Sequence, residues 1–263
     1  MHTNAATVVK NASVLLISQL VTWALTLVLT VVLARELGAE LVGEFTLASS
    51  IWTVMGVFIN FGMDTLLVKQ IARAPERTPA LLGTTIVARS VLYLLSCAVV
   101  ALYVQLAHFS STTLVLIALL SVAQLVNQIY LATQAALQGL ELMEYVSLAS
   151  IVSRVVNTAL GILVLLLGFG VFGVSAIAIL AAAAGLGIQL AYLRQRYPLR
   201  LGFDGAQLGA ILRASLPYLA SSLGLVLYGQ VDVLIISWLV DTTQVGWYGS
   251  ASRLFGTFMF FPV

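Results

Sequence analysis

Three ionisable side chains stand inside segments that are otherwise apolar. Arg89, Arg154 and Asp232 are flanked by hydrophobic residues, and Asn157 follows Arg154 by about one helical turn. An ionised side chain at the centre of a bilayer costs about 2.5–3.5 kcal/mol, so such residues tend to face a water-filled cavity or a partner. We therefore predict a polar cavity lined by these groups. The alternatives are that the arginines reach the membrane surface through their long side chains, or that Asp232 forms a structural ion pair.

A row of amide side chains runs along one predicted helix. Spacings of three, four and seven residues place these amides on one helical face; they are Gln124, Asn127, Gln128, Gln134 and Gln138. So long a stripe is typical of a wall that faces water. The alternative is that the amides form hydrogen bonds between neighbouring helices.

Signatures of enzymes are missing from the sequence. We find no nucleotide-binding loop, no metal-ligand spacing and no nucleophile motif, and the single cysteine, Cys97, lies in an apolar run typical of a small buried hydrophobe. We therefore predict no catalysis, no cofactor and no metal site. Any transport would draw its energy from an ion gradient, from the membrane potential or from consumption of the product.

The composition indicates that most of the surface meets lipid. Hydrophobic residues make up 61% of the chain and charged residues 8%, against about 45–50% and about 25% in soluble domains. The net charge of +2 is too small to indicate nucleic-acid binding. Because a span needs about 20 mainly apolar residues, we predict an all-α polytopic membrane protein with about eight transmembrane helices. They cover residues 12–34, 41–61, 82–106, 113–136, 145–167, 172–193, 216–240 and 248–263.

Basic residues are distributed unequally between the two sets of connections. The richer set comprises Lys10, Lys69, Arg73, Arg77, Arg89, Arg194, Arg196, Arg200 and Arg213, whereas the opposite set holds Arg35 and Arg253 near span ends. The positive-inside rule then places the N-terminus in the cytoplasm. Two connections of the richer set, residues 66–73 and 204–213, are amphipathic and predict interfacial helices. Pro217 is expected at the start of span seven, where its missing N–H costs least.

A short internal repeat suggests two related halves. Residues 42–50 and 245–253 share Val, Gly, Ala and Ser at a constant separation of 203 positions. This match places span seven on span one and span eight on span two, as in transporters with parallel repeats. We predict a six-helix lobe over residues 1–198 and the start of a second lobe over residues 199–263. Because the chain stops within an apolar run, we expect it to be the N-terminal part of a longer transporter.

Several short motifs resemble the opening of bacterial polysaccharide flippases. They are Ala34-Arg35-Glu36-Leu37-Gly38, Gly43-Glu44-Phe45, Asn60-Phe61-Gly62-Met63-Asp64 and Lys69-Gln70-Ile71-Ala72-Arg73. Residues 230–232 and 245–253 look like the seventh and eighth spans of the same family. Over essentially its whole length the chain resembles Wzx-type members of the multidrug/oligosaccharidyl-lipid/polysaccharide exporter superfamily.

The resemblance implies two six-helix bundles that form a V around a central cavity and work by alternating access. It also implies that the substrate is a polyprenyl-pyrophosphate-linked oligosaccharide, moved across the inner membrane, with the bilayer and the polysaccharide polymerase machinery as partners. Arginines bind pyrophosphate through charge-assisted hydrogen bonds, and amides suit sugar hydroxyls. The candidate substrate-binding residues are Arg35, Arg89, Arg154, Asn157, Gln124, Asn127, Gln128, Asp232 and Arg253.

Three other functions stay open on the sequence alone. A peptidoglycan-precursor flippase and a cation-coupled drug exporter belong to the same superfamily. A drug exporter should have a cavity rich in carboxylates, whereas the first six spans carry several arginines and almost no central acid. A truncated membrane scaffold that does not transport is the third alternative.

The predicted orientation can be tested with one engineered cysteine. In a Cys97→Ser background, His108→Cys lies between spans three and four and should react with a membrane-impermeant maleimide in intact cells. Glu141→Cys, between spans four and five, should react only after the cells are permeabilised. The reverse pattern would invert the topology.

Overall fold

In the computed structural model, the described part of the chain is built from helices. The structure describes residues 5–107, 109–196 and 205–258, so His108 lies outside it. The elements are α1 (Ala5–Asn60), α2 (Met63–Arg73), a 3₁₀ turn (Pro75–Arg77), α3 (Thr78–Ala107), α4 (Ser111–Gly139), α5 (Met143–Leu166), α6 (Gly170–Arg196), α7 (Gly205–Leu239) and α8 (Thr242–Phe258). Six helical stretches of the described residues are long and apolar enough to cross a membrane. The prediction of an all-α polytopic membrane protein is confirmed.

Helix α1 contains the first two predicted spans. At about 1.5 Å per residue, its 56 residues would extend for about 84 Å, whereas the hydrocarbon core of a bilayer is about 30 Å thick. Gly38 interrupts the helix with φ 74° and ψ 170°, a conformation essentially restricted to glycine. We call residues 5–37 α1a and residues 39–60 α1b. The six stretches thus account for the first six predicted spans and the first half of the seventh, whose remainder continues in α7; the eighth, residues 248–263, is only partly described.

The two predicted interfacial helices have different outcomes. Residues 66–73 are helical, as part of α2, and Leu67 and Ile71 on its apolar side are buried. Residues 205–213 instead form the first turns of α7, and Pro217 lies inside this helix rather than at its start. The position predicted for Pro217 was therefore wrong, and the interfacial location of residues 204–213 stays a prediction. Backbone groups in lipid must be satisfied internally, which favours a continuous helix. Continuing the helix preserves more hydrogen bonds than the single one that proline removes.

Helices α1, α4, α5 and α6 pack around one another. Thr158 on α5 donates a hydrogen bond to the Leu25 carbonyl of α1a at 3.3 Å. Thr133 on α4 donates to the Gln189 side chain of α6. Polar contacts of this kind join membrane helices because both partners would otherwise be unsatisfied in hydrocarbon.

A buried carboxylate joins the start of α1b to the start of α4. Glu44 is 6% exposed, and its Oε1 accepts a hydrogen bond from the Ser110 hydroxyl at 2.5 Å. Ser110 caps α4 by accepting a hydrogen bond from the Thr113 N–H at 3.1 Å. A negative charge at a helix N-terminus is favoured by the helix dipole, so Glu44 fixes the position of α4 as well as satisfying its cap.

The repeated segments meet each other directly in the structure. A Cβ atom added at Gly43 would overlap the carbonyl of Thr242, and one added at Gly246 would overlap the carbonyl of Ala39. Because Ala39 and Thr242 are separated by the same 203 positions as the two glycines, the contact is reciprocal, as in an interface about a two-fold axis. The division into two lobes stays a prediction, to which this reciprocity adds a geometric observation.

The glycine contact should be sensitive to a single methyl group. We expect Gly43→Ala and Gly246→Ala each to lower the free energy of unfolding by about 1–3 kcal/mol, because the helices must separate to accommodate the Cβ atom. Gly224→Ala is the control, since its Cβ would meet nothing within 4 Å and alanine favours a helix by up to about 1 kcal/mol. Thermal unfolding in one detergent measures all three; equal midpoints for the Gly246 and Gly224 variants would disprove the contact.

Candidate functional site

A cavity of about 430 Å³ lies among α1, α4, α5 and α6. Its walls combine small apolar residues with amides, hydroxyls and one cation. We call it the central cavity. It is lined by Gln19, Thr22, Trp23, Ser49, Trp52, Thr53, Leu120, Ala123, Gln124, Asn127, Tyr130, Ser150, Ser153, Arg154, Asn157, Ala178, Ala181 and Ala182. The structure therefore brings together four of the predicted site residues: Gln124, Asn127, Arg154 and Asn157.

Arg154 gives the central cavity its positive charge. Of the described residues that line the cavity, Arg154 alone carries a charge, and no carboxylate is among them. The ion pair found within the described ranges joins Arg89 to Asp64, so Arg154 has no carboxylate partner there. One turn along α5, the buried Oδ1 of Asn157 lacks a hydrogen-bond partner in the same part of the chain. A cation without a counter-ion inside membrane-spanning helices is costly, and a bound anion would compensate for it.

A second cavity, of about 420 Å³, adjoins the first. We call it the Asp64 cavity, because Asp64 lines it together with Asn60 and Thr65, and Ser222 contributes from α7. Both cavities are lined by Thr53, Gln124 and Asn127, which form their common wall. Polar groups therefore continue from Arg154 at one end to a carboxylate at the other.

Arg89 belongs to a buried network rather than to either cavity lining. It is 2% exposed, and its guanidinium forms an ion pair with Asp64. Its Nη1 donates to the Gln128 carbonyl at 2.8 Å. The side chain of Gln128 in turn donates to the Gly56 carbonyl at 3.2 Å, and Asn60 donates to Asp64. The predicted amide stripe is thus divided: Gln124 and Asn127 line the central cavity, whereas Gln128 lines only the Asp64 cavity and takes part in this network.

The remaining predicted site residues lie elsewhere. Arg35 is exposed near the end of α1a. Asp232 accepts hydrogen bonds from the Tyr248 hydroxyl and from the Val233 N–H, the latter at 2.8 Å, and so links α7 to α8. The side chain of Arg253 falls outside the part of the chain that the structure describes.

Hydroxyl groups form much of the central cavity wall, and the sequence did not reveal them. Thr22 donates to the Gln19 carbonyl at 2.9 Å, and Thr53 donates to the Ser49 carbonyl at 2.8 Å. Serine and threonine often bond to the preceding turn of their own helix. Their presence in a span therefore carries no signal of a cavity until the neighbouring helices are known.

Comparison with known proteins found similarity at the level of family and fold. A family model described as "Polysaccharide biosynthesis protein" matches residues 8–259. A solved structure, named as protein A, is 19% identical and superimposes with a TM-score of 0.75 over 98% of this chain and 62% of that chain. At this identity the likeness shows the fold alone, and this chain spans less than two thirds of the length of protein A. No curated protein matched.

The family match covers nearly the whole chain, and the resemblance to Wzx-type flippases is confirmed at this level. The apolar helices and the family together indicate a multi-pass membrane protein of polysaccharide biosynthesis. The chain belongs to the polysaccharide biosynthesis protein family.

Proposed function

We propose that this chain is part of a flippase that moves a polyprenyl-pyrophosphate-linked oligosaccharide across the inner membrane by alternating access. In this proposal residues 1–198 form one lobe, residues 199–263 begin the second, and the N-terminus is cytoplasmic. The observation that carries the proposal is the placement of Arg154, without a carboxylate partner among the described residues, in a polar cavity between membrane-spanning helices.

A pyrophosphate group matches the charge of the central cavity. Guanidinium groups form short, often bidentate hydrogen bonds to phosphate oxygens, and these bonds are stronger than neutral ones. An anion beside Arg154 would offset the cost of placing that cation within the membrane. A cationic drug would increase this cost, so the cavity favours an anionic substrate over the substrate of a drug exporter.

The common wall of the two cavities suits the sugars of such a substrate. Gln124 and Asn127 each offer a carbonyl acceptor and an NH₂ donor, and Thr53 adds a hydroxyl group. Sugar hydroxyls need both donors and acceptors. The polyprenyl tail can remain in the bilayer while the head group crosses. A peptidoglycan precursor carries the same pyrophosphate, so sugar selection along this wall would separate the two flippases.

Removal of the Arg154 charge should abolish transport without preventing membrane insertion. Loss of a hydrogen bond to a charged group costs about 1.5–3 kcal/mol, which corresponds to a loss of about tenfold or more in affinity. We expect Arg154→Ala, expressed from the full reading frame in a flippase-null strain, to fail to restore surface polysaccharide. Arg194→Ala, exposed at the end of α6, is the matched control. Normal export by the Arg154 variant would remove this residue from the site.

Arg89 should behave differently from Arg154, because its charge is buried against Asp64. Leaving one member of a fully buried ion pair alone costs about 3–5 kcal/mol, and the cost here is smaller because the Asp64 side chain is 33% exposed. We expect Arg89→Gln to reduce the amount of folded, monodisperse protein recovered from membranes, measured by fluorescence-detected size-exclusion chromatography. The double variant Arg89→Gln/Asp64→Asn should recover part of that loss because neither charge is then unpaired. If Arg89→Gln alone yields as much folded protein as the wild type, the structural role of Arg89 is contradicted.

A further inference from the structure

A third cleft, of about 400 Å³, lies at one end of the helix bundle, apart from both cavities. It separates α2 and the 3₁₀ turn from the first turns of α7. Arg73 and Arg77 line it on one side, and Ile211 lines it on the other. A neighbouring cavity contains Arg213 and shares two alanines of α7 with the cleft. Arg73 of α2 and Arg77 of the 3₁₀ turn therefore lie opposite one short segment of α7, and this segment itself carries Arg213.

The position of the cleft relative to the spans places it near the membrane surface. The stretch suited to cross the membrane that contains α3 runs from Pro75 to Ala107, so Arg77 lies in its first turn and Arg73 comes just before it. Leu81, one turn into α3, lines the same cleft, and it is buried, as is Ile211. The cleft thus has an apolar floor and a cationic rim at the start of a predicted span.

Within the described ranges the arginines of the cleft have no carboxylate partner. The ion pair found there joins Arg89 to Asp64, away from the cleft. No acidic residue is among the described residues that line the cleft; Glu76, in the intervening turn, is exposed and is not part of the lining. Arg73 is the last residue of α2, and a cation is favoured at a helix C-terminus. Among the described residues the rim therefore carries two cations and no anion.

We propose that this cleft binds an anionic phospholipid of the surrounding bilayer, with its phosphodiester at Arg73 and Arg77. Arginine suits this role because its planar guanidinium can donate two parallel hydrogen bonds to phosphate oxygens. The apolar floor formed by Leu81 and Ile211 accommodates the start of an acyl chain, which a soluble phosphate lacks. Basic pockets between helices at the membrane surface are known to bind lipid head groups. A lipid in this cleft contacts both α2 and α7.

Native mass spectrometry of the purified chain tests this site, with phosphatidylglycerol as the probe and phosphatidylcholine as the neutral comparison. We expect the wild type to retain phosphatidylglycerol preferentially. Arg73→Gln/Arg77→Gln should weaken this binding about tenfold or more. The matched control, Lys69→Gln/Arg194→Gln, removes the same charge from exposed positions outside the cleft and should change binding less than about twofold.

Three results would overturn the proposal. Equal retention of the two lipids by the wild type would remove the anionic preference, and equal weakening by both double variants would indicate diffuse attraction to surface charge. Displacement of phosphatidylglycerol by millimolar inorganic phosphate would identify a site for a free anion instead of a lipid. Thermal unfolding of both double variants should match the wild type, because the substituted residues are exposed, so a binding defect can be separated from misfolding.

Discussion

Arg89 on α3 forms an ion pair with Asp64 on α2 and donates a hydrogen bond to α4 at Gln128, whose side chain bonds to α1b at Gly56. Four helical elements are thereby joined around one guanidinium group inside the membrane. Burial of such a charge costs less when its donors have acceptors. Nη1 and Nη2 of Arg89 have acceptors here, whereas its buried Nε has none among the described residues. The two helices that provide the common wall of the cavities, α1b and α4, are both members of this network. Arg89, which lines neither cavity, therefore helps to hold together the two helices that carry this wall.

The same constraint explains why two arginines of similar sequence context have different roles. Arg89 and Arg154 both interrupt apolar segments, and the sequence alone assigned both to a substrate cavity. Arg89 differs because Asp64, 25 positions away in sequence, reaches it in space. Arg154 has no carboxylate partner among the described residues and lines the central cavity with Asn157. Pairing over such distances is set by helix packing, which hydrophobic periodicity does not encode.

What could be predicted from the sequence was mainly local. Span positions follow from the length of apolar runs, and the helical character of residues 66–73 follows from their amphipathic pattern. The start of α7 could not be read in this way, because Pro217 looks like a helix start when only its own backbone is considered. Of the amide stripe, spacing predicted the shared face. Spacing could not show that the Gln128 side chain donates to the Gly56 carbonyl and so joins the Arg89 network, because Gly56 lies on another helix.

The crossing of α1b and α8 has a mechanical consequence. Gly43 and Gly246 allow the two backbones to touch without a side chain between them at the crossing point, and Thr46 packs against Gly249 about one turn along. Sliding along either axis would drive the carbonyls of Thr242 and Ala39 against neighbouring side chains. The crossing point therefore resists translation and permits rotation, which are the properties of a fulcrum.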